Sequence, residues 1–220
     1  MSALYLYPRW LRAWHWINAL LFLVLMYTGA SMHFGGGGWL MPFDLAVTTH
    51  NTAGILLTLG WIGFVIGNLT TGNGRHYRVR FSGFFDRLFA QARYYGYGIF
   101  HNEPHPFHVS AEMKLNTLQQ LSYLGVMYGL MPLLILSGWA FLFSVSLPET
   151  LLGLPSVWLV AMAHLTLAYL LVLFLLVHMY IITTGETIIT NLRAMITGWH
   201  REDEPSSGQT EEAKSSTTSA

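Results

Sequence analysis

Cysteine is absent from this chain of 220 residues. That single absence removes disulfides, cysteine-ligated iron–sulfur clusters, thiol nucleophiles and the C-x-x-C-H motif of covalent c-type haem attachment. Charge is scarce as well. Asp, Glu, Lys and Arg make up 10% of the residues, where a soluble domain carries about 25%. Too little polar surface remains to coat a water-facing globule, so lipid must cover the rest. Acidic and basic residues balance at eleven each, which gives no basis for nucleic acid as a partner. Lys and Arg are missing altogether from residues 34–44 and 146–156.

What is present is apolar. Hydrophobic residues reach 53%, and they gather in four runs at about 10–32, 45–69, 118–145 and 157–183. Each exceeds the ~20 helical residues needed to cross a bilayer core. The first run follows Arg9 and Arg12 but is too long for a signal peptide and leads to no A-x-A-like site, so it is expected to be retained. Lys and Arg cluster before the first run, between the second and third, and after the fourth. By the positive-inside rule both termini and the middle loop face the cytoplasm. Phe81, Phe84, Phe85, Leu88 and Phe89 recur at helical spacing in that loop, which predicts a short interfacial helix over about 80–93. The expected fold is an all-α integral membrane four-helix bundle spanning residues 1–200, with this cytoplasmic interfacial helix. A polar, serine- and threonine-rich tail at 201–220 is expected to be disordered.

Histidine is costly at membrane depth unless it is paired or ligated, so intramembrane histidines are functional candidates. His15 lies early in the first run, His50 early in the second, and His164 and His178 near opposite ends of the fourth. The last two are 14 residues apart. That spacing is a rise of about 21 Å and returns the side chain to within about 40° of its starting direction. One helix therefore presents two imidazoles on one face, one near each surface. His178 is level with His15, and His164 with His50. Zinc wants four ligands at one depth. Two opposed imidazoles per level instead suit the axial positions of a haem iron. His33 is a rival to His50, since five whole helical turns separate it from His15, although it borders the glycine turn. Gly54 lies one turn from His50 and, with Gly60, Gly63 and Gly67, leaves room either for a ring or for close helix packing. His101, His105 and His108 fall among Pro104 and Pro106, which forbid a regular helix and leave a solvated loop. His76 and His200 are expected to be exposed.

With these residues in view, the chain resembles the diheme cytochrome b subunits of formate dehydrogenases, nickel–iron hydrogenases and thiosulfate reductases. Arg12-Ala13-Trp14-His15-Trp16-Ile17-Asn18 is similar to that family's R-x-x-H-W-x-N opening, and the His164–His178 spacing matches its fourth helix. The resemblance implies two non-covalent b-type haems, with His15–His178 and His50–His164 as ligand pairs. It also implies a quinone site at the cytoplasmic end. Residues 114–119 (KLNTLQ) are similar to the family's segment entering the third helix, so Asn116 is carried over, with Lys114 and Gln119 as weaker candidates. Leu118 stands where some members have glycine. Asn116 also suits a helix N-cap.

The function implied is electron transfer between the quinone pool and an external partner across the bacterial cytoplasmic membrane. The partner would be an iron–sulfur protein, a dehydrogenase or reductase, or a multihaem cytochrome. Arg9 and Arg12 are candidates for propionate contacts or for a topogenic flank. The competing readings are a transporter with histidines as proton relays and a passive membrane anchor without haem.

Overall fold

A computed structural model of the chain describes residues 2–35, 38–77, 83–101, 103, 106–107, 115–184 and 188–202. A short strand β1 (Ser2–Tyr5) leads into helices α1 (Arg9–Phe34) and α2 (Phe43–Thr70). A one-turn 3-10 segment at Asn73–Tyr77 precedes α3 (Phe84–Gly96). The third span is α4 (Thr117–Gly125), a π-helical turn (Val126–Leu130) and α5 (Met131–Leu142) in succession. A two-residue hairpin, β2 (Thr150–Leu151) and β3 (Leu154–Pro155), opens into α6 (Ser156–Ile182). Helix α7 (Thr190–Thr197) and strand β4 (Trp199–Glu202) close the described chain. Among the described residues four apolar helices are long enough to cross a membrane, at Arg9–Phe34, Phe43–Thr70, Thr117–Leu142 and Ser156–Ile182.

The helix starts follow from local chemistry. Pro8, Pro42 and Pro155 stand at the residue before α1, α2 and α6. Proline lacks the N–H a helix interior needs, yet none is needed at the first turn. The third span starts differently. Asn116 caps α4, its side chain accepting from Gln119 N while Gln119 returns a side-chain acceptor to Asn116 N, so two otherwise unpaired N–H groups are satisfied reciprocally. Gly35, at φ 49°, ends α1 in the left-handed conformation that glycine tolerates without a Cβ clash.

Pro132 explains the π turn. Proline has no N–H to donate into the ladder, and its ring crowds the carbonyl one turn back. The Met131 N–H bonds instead to the Val126 carbonyl, and Met127 is left with an uncommitted carbonyl. Trp61 Nε1 of α2 donates to that oxygen at 2.7 Å. An exposed polar backbone group at membrane depth is thereby satisfied by a neighbouring helix.

Helix α1 packs along α2, and α5 along α6, with fewer contacts between the two pairs. The pairs meet in a small core of Leu57, Val126, Met131 and Leu171, with Phe22, Leu25 and Phe174 against it. Trp139 Nε1 donating to Thr58 Oγ1 at 3.2 Å ties α5 to α2. The outward faces are apolar, with Leu20, Leu136 and Leu176 all exposed, a surface that calls for lipid. We call the end carrying Arg9, Thr70, Thr117 and Ile182 proximal and the opposite end distal.

Three local features differ from the sequence expectations. Helix α3 begins at Phe84 and continues to Gly96, while residues 80–82 lie outside the described chain. It turns Phe85 and Phe89 outward and buries Gln91 and Tyr95, so its apolar face is the one free to meet lipid. Arg201 and Glu202, assigned from sequence to the tail, instead belong to β4, which pairs antiparallel with β1. The remaining tail, 203–220, lies outside the described residues. His76 is buried rather than exposed, because the 3-10 segment folds it back beneath α4, where Gln120 Nε2 donates to its carbonyl at 3.2 Å.

Candidate functional site

The distal pair is the more completely built. His50 of α2 and His164 of α6 face each other with ring centres 6.3 Å apart. Each ring is held from behind by a hydroxyl on a different helix. Thr28 Oγ1 of α1 lies 2.9 Å from His50 Nδ1, and Ser137 Oγ of α5 lies 2.8 Å from His164 Nδ1. Glycine follows each hydroxyl residue. A Cβ at Gly29 would sit 3.6 Å from His50 Cε1, and one at Gly138 would sit 3.5 Å from His164 Cε1. These glycines let the backbone of α1 and α5 approach the imidazoles closely.

The proximal pair is His15 of α1 and His178 of α6, with ring centres 6.2 Å apart. Aromatic rings surround it. Trp16 lies edge-on to His15 at 5.4 Å, and Phe174 stacks near His178 at 5.9 Å with Tyr123 at 6.5 Å. Helix α6 thus contributes one imidazole to each level, as its 14-residue spacing requires.

A metal held between two imidazoles sets a definite separation. With nitrogen–metal bonds of about 2.0 Å and about 1.1 Å from nitrogen to ring centre, opposed rings stand about 6.2 Å apart. Both pairs meet that distance. Among the described residues no three His, Asp or Glu side chains converge, so each level offers two nitrogen donors and no tetrahedral set. Opposed imidazoles between apolar helices fit a haem iron with its flat, greasy ring.

Residues 6–198 match the family model described as prokaryotic cytochrome b561. The chain belongs to that family. It is also 40% identical over 198 residues to the Escherichia coli (strain K12) protein named "Putative cytochrome YdhU", covering 90% of this chain and 75% of that one. No solved structure matches it. The resemblance drawn from the R-x-x-H-W-x-N opening and the His164–His178 spacing therefore holds. This is a prokaryotic multi-pass membrane cytochrome whose family carries b-type haem and transfers electrons.

The remaining sequence candidates fall into place unevenly. His33 is exposed and touches only the Phe34 ring, at 4.8 Å, among the described aromatic contacts. It does not face His164. His101 stacks on Tyr97 at 3.8 Å on the surface of the proximal end, and His105 and His108 lie outside the described residues. His200 is half-buried in β4. Gly67 packs against the Trp10 ring and Gly60 against the Asn18 amide, whereas Gly54 and Gly63 face open space. Trp14 Nε1 donates to the Gly60 carbonyl at 2.8 Å, and Asn18 Nδ2 to the Trp14 carbonyl at 2.9 Å. Trp14, at an unspecified position of the opening motif, therefore ties α1 to α2 beside His15, and the motif's Asn18 packs against Gly60 of α2.

At the proximal end Asn116 is buried. Besides capping α4 it donates from Nδ2 to Tyr95 Oη at 3.1 Å, and burial raises the Tyr95 pKa above its ordinary value. Tyr180 Oη of α6 donates in turn to the Tyr95 carbonyl at 2.8 Å. Gln119 lines a small cleft together with Leu118, Tyr123, Phe174, Val177 and His178. Lys114 lies outside the described residues. Arg12 reaches α7, where Nη1 donates to the Ile196 carbonyl, while its buried Nε has no partner in the described structure. Arg9 is exposed.

Sequence reasoning missed Thr28 and Ser137. Their trace is a repeated hydroxyl–glycine dipeptide, Thr28-Gly29 and Ser137-Gly138, which gains meaning only when both helices are placed beside a histidine. The clasp of β1 on β4 was missed because neither four-residue strand has a turn or a partner nearby in sequence.

Proposed function

We propose that this cytochrome carries electrons between the quinone pool and a redox partner on the external side of the bacterial cytoplasmic membrane, using two b-type haems. The observation that carries this reading is the pair of opposed imidazole sets, 6.2 and 6.3 Å between ring centres, at the two ends of one helix. His15 with His178 and His50 with His164 would hold the two haems. When bound, the haems supply the one-electron chemistry. The protein's part is to fix each ring's position and keep water from the interior.

The proximal cleft supports the quinone end of the reading. Its walls are apolar apart from Gln119, Ser122, the Tyr123 hydroxyl and the His178 ring, a composition suited to a flat ring with polar edges. The Asn116 backbone engages Gln119 Oε1 at 3.1 Å, and among the described residues nothing takes up Gln119 Nε2. That amide is the donor we assign to a quinone carbonyl. Asn116, with its own amide committed to the cap and to Tyr95, acts by holding Gln119 in place, and Lys114, two residues earlier in the sequence, is a further candidate. The unpartnered Nε of Arg12 would meet a propionate of the proximal haem, with Arg9 beside it at the surface.

Lys and Arg flank only the proximal end, which by the positive-inside rule supports a cytoplasmic position for that end and both termini. The distal end would then meet the partner, an iron–sulfur protein, a dehydrogenase or reductase, or a multihaem cytochrome.

Haem content and a dithionite-reduced minus oxidised spectrum of the purified protein test the reading. Two b-type haems per chain, reducible by a quinol, are expected. Gln119→Leu should raise the KM for the quinol several-fold and leave dithionite reduction intact. One haem would remove one of the two pairs, and none would return the histidines to a transport or anchoring role.

A further inference from the structure

We propose that Thr28 and Ser137 are positioning residues that hold the two distal imidazoles in a single tautomer and make the distal haem electronically different from the proximal one. The inference rests on the haem reading given above.

A hydroxyl has one proton to give and two lone pairs to accept with. Thr28 Oγ1 lies 2.8 Å from the Val24 carbonyl and 3.3 Å from the Leu25 carbonyl, so its proton is committed to its own helix. Ser137 Oγ likewise donates to the Leu134 carbonyl at 2.9 Å. Each hydroxyl can therefore meet its histidine only as an acceptor. His50 donates from Nδ1 to Thr28 Oγ1 at 2.9 Å, and His164 donates from Nδ1 to Ser137 Oγ at 2.8 Å. With Nδ1 carrying the proton, Nε2 keeps its lone pair on both rings, the form in which imidazole binds a metal.

The two clamps are built alike on unrelated helices. In both, a hydroxyl residue precedes a glycine, and a Cβ on that glycine would meet the histidine Cε1 at ordinary contact distance, 3.6 Å at Gly29 and 3.5 Å at Gly138. Thr28 is fully buried, so no water competes for its lone pair. The proximal pair is treated differently. Among the described residues His15 and His178 make ring contacts with Trp16, Tyr123 and Phe174 and no hydrogen bond. An N–H that donates leaves its imidazole more electron-rich and a stronger ligand, which favours the ferric over the ferrous state. The clamps therefore lower the distal potential by an amount the proximal haem does not share.

Potentiometric titration of the purified full-length protein, followed at the b-type absorption band, reads this directly. Thr28→Val and Ser137→Ala each delete a hydroxyl at nearly constant shape. Each is expected to retain two haems and to raise one midpoint, by up to about tenfold in ferric-over-ferrous preference, which for a one-electron couple reads as about 59 mV. The other midpoint should stay put. Thr28→Ser, which keeps the hydroxyl, should restore the wild-type value. Haem loss from Thr28→Val that Thr28→Ser does not share also supports the clamp. Two haems with both midpoints unmoved would overturn it, as would an equal shift of both or haem loss that Thr28→Ser shares. A wild-type protein with fewer than two haems would instead overturn the underlying two-pair reading.

Discussion

Gly67→Ala tests how tightly α1 is seated on α2, and hence what places His15. An added Cβ would stand 2.8 Å from Trp10 Cζ3 and 3.0 Å from Trp10 Cη2. Carbon atoms in relaxed contact keep about 3.5–4.0 Å, so something must yield by more than half an ångström. Trp10 is a rigid bicyclic ring at the first turn of α1, five residues before His15. Relief comes from swinging the indole out of its slot or lifting the start of α1 off α2. Overpacking of this kind costs about 1–3 kcal/mol. Gly63, one helical turn earlier, meets nothing within 4 Å, so Gly63→Ala gains only the helical preference of alanine over glycine, about 0.5–1 kcal/mol. Gly67→Ala shares that gain, so the difference between the two variants isolates the clash at about 1–3 kcal/mol. Thermal unfolding in detergent micelles, followed by circular dichroism and haem release, measures it. Haem should leave first from the His15–His178 site. A Gly67→Ala protein as stable as Gly63→Ala would show that Trp10 is not wedged there.

Four further outcomes are expected. His15→Ala or His178→Ala should halve the haem stoichiometry, and His50→Ala or His164→Ala should do the same while removing the other component of the redox titration. Asn116→Ala should destabilise the protein by about 1 kcal/mol through the lost cap, whereas Asn116→Asp, which still accepts from Gln119 N, should recover most of it; chemical denaturation compares them. Trp61→Phe leaves the Met127 carbonyl unpaired beside the π turn and should cost about 1–3 kcal/mol in the same assay. Burial raises the pKa of Tyr7, Tyr77 and Tyr95. The unfolded chain therefore loses these protons first, and stability should be level below about pH 10 and fall as pH rises above it; unfolding midpoints from pH 8 to pH 11 that stay flat would contradict this.

Much of the protein is already determined by its sequence. Four spans, their alternation and the face shared by His164 and His178 follow from hydropathy and helical periodicity, which are properties of single segments. The helix starts at Pro8, Pro42 and Pro155 are local too, since proline acts on its own backbone. Tertiary structure decided what depends on two segments at once. It separated His50 from His33, because only one of them reaches across to α6. It divided the glycines of α2 into those that admit Trp10 and Asn18 and those that face open space. It showed that Asn116 has its cap and its bond to Tyr95 to serve, and that Gln119 is among the residues lining the proximal cleft. It also placed Thr28 and Ser137 behind the distal imidazoles. A hydroxyl in an apolar helix can always return its proton to its own backbone, so nothing in the sequence says whether its lone pair has a use. Only a neighbouring helix, brought within 3 Å, gives it one.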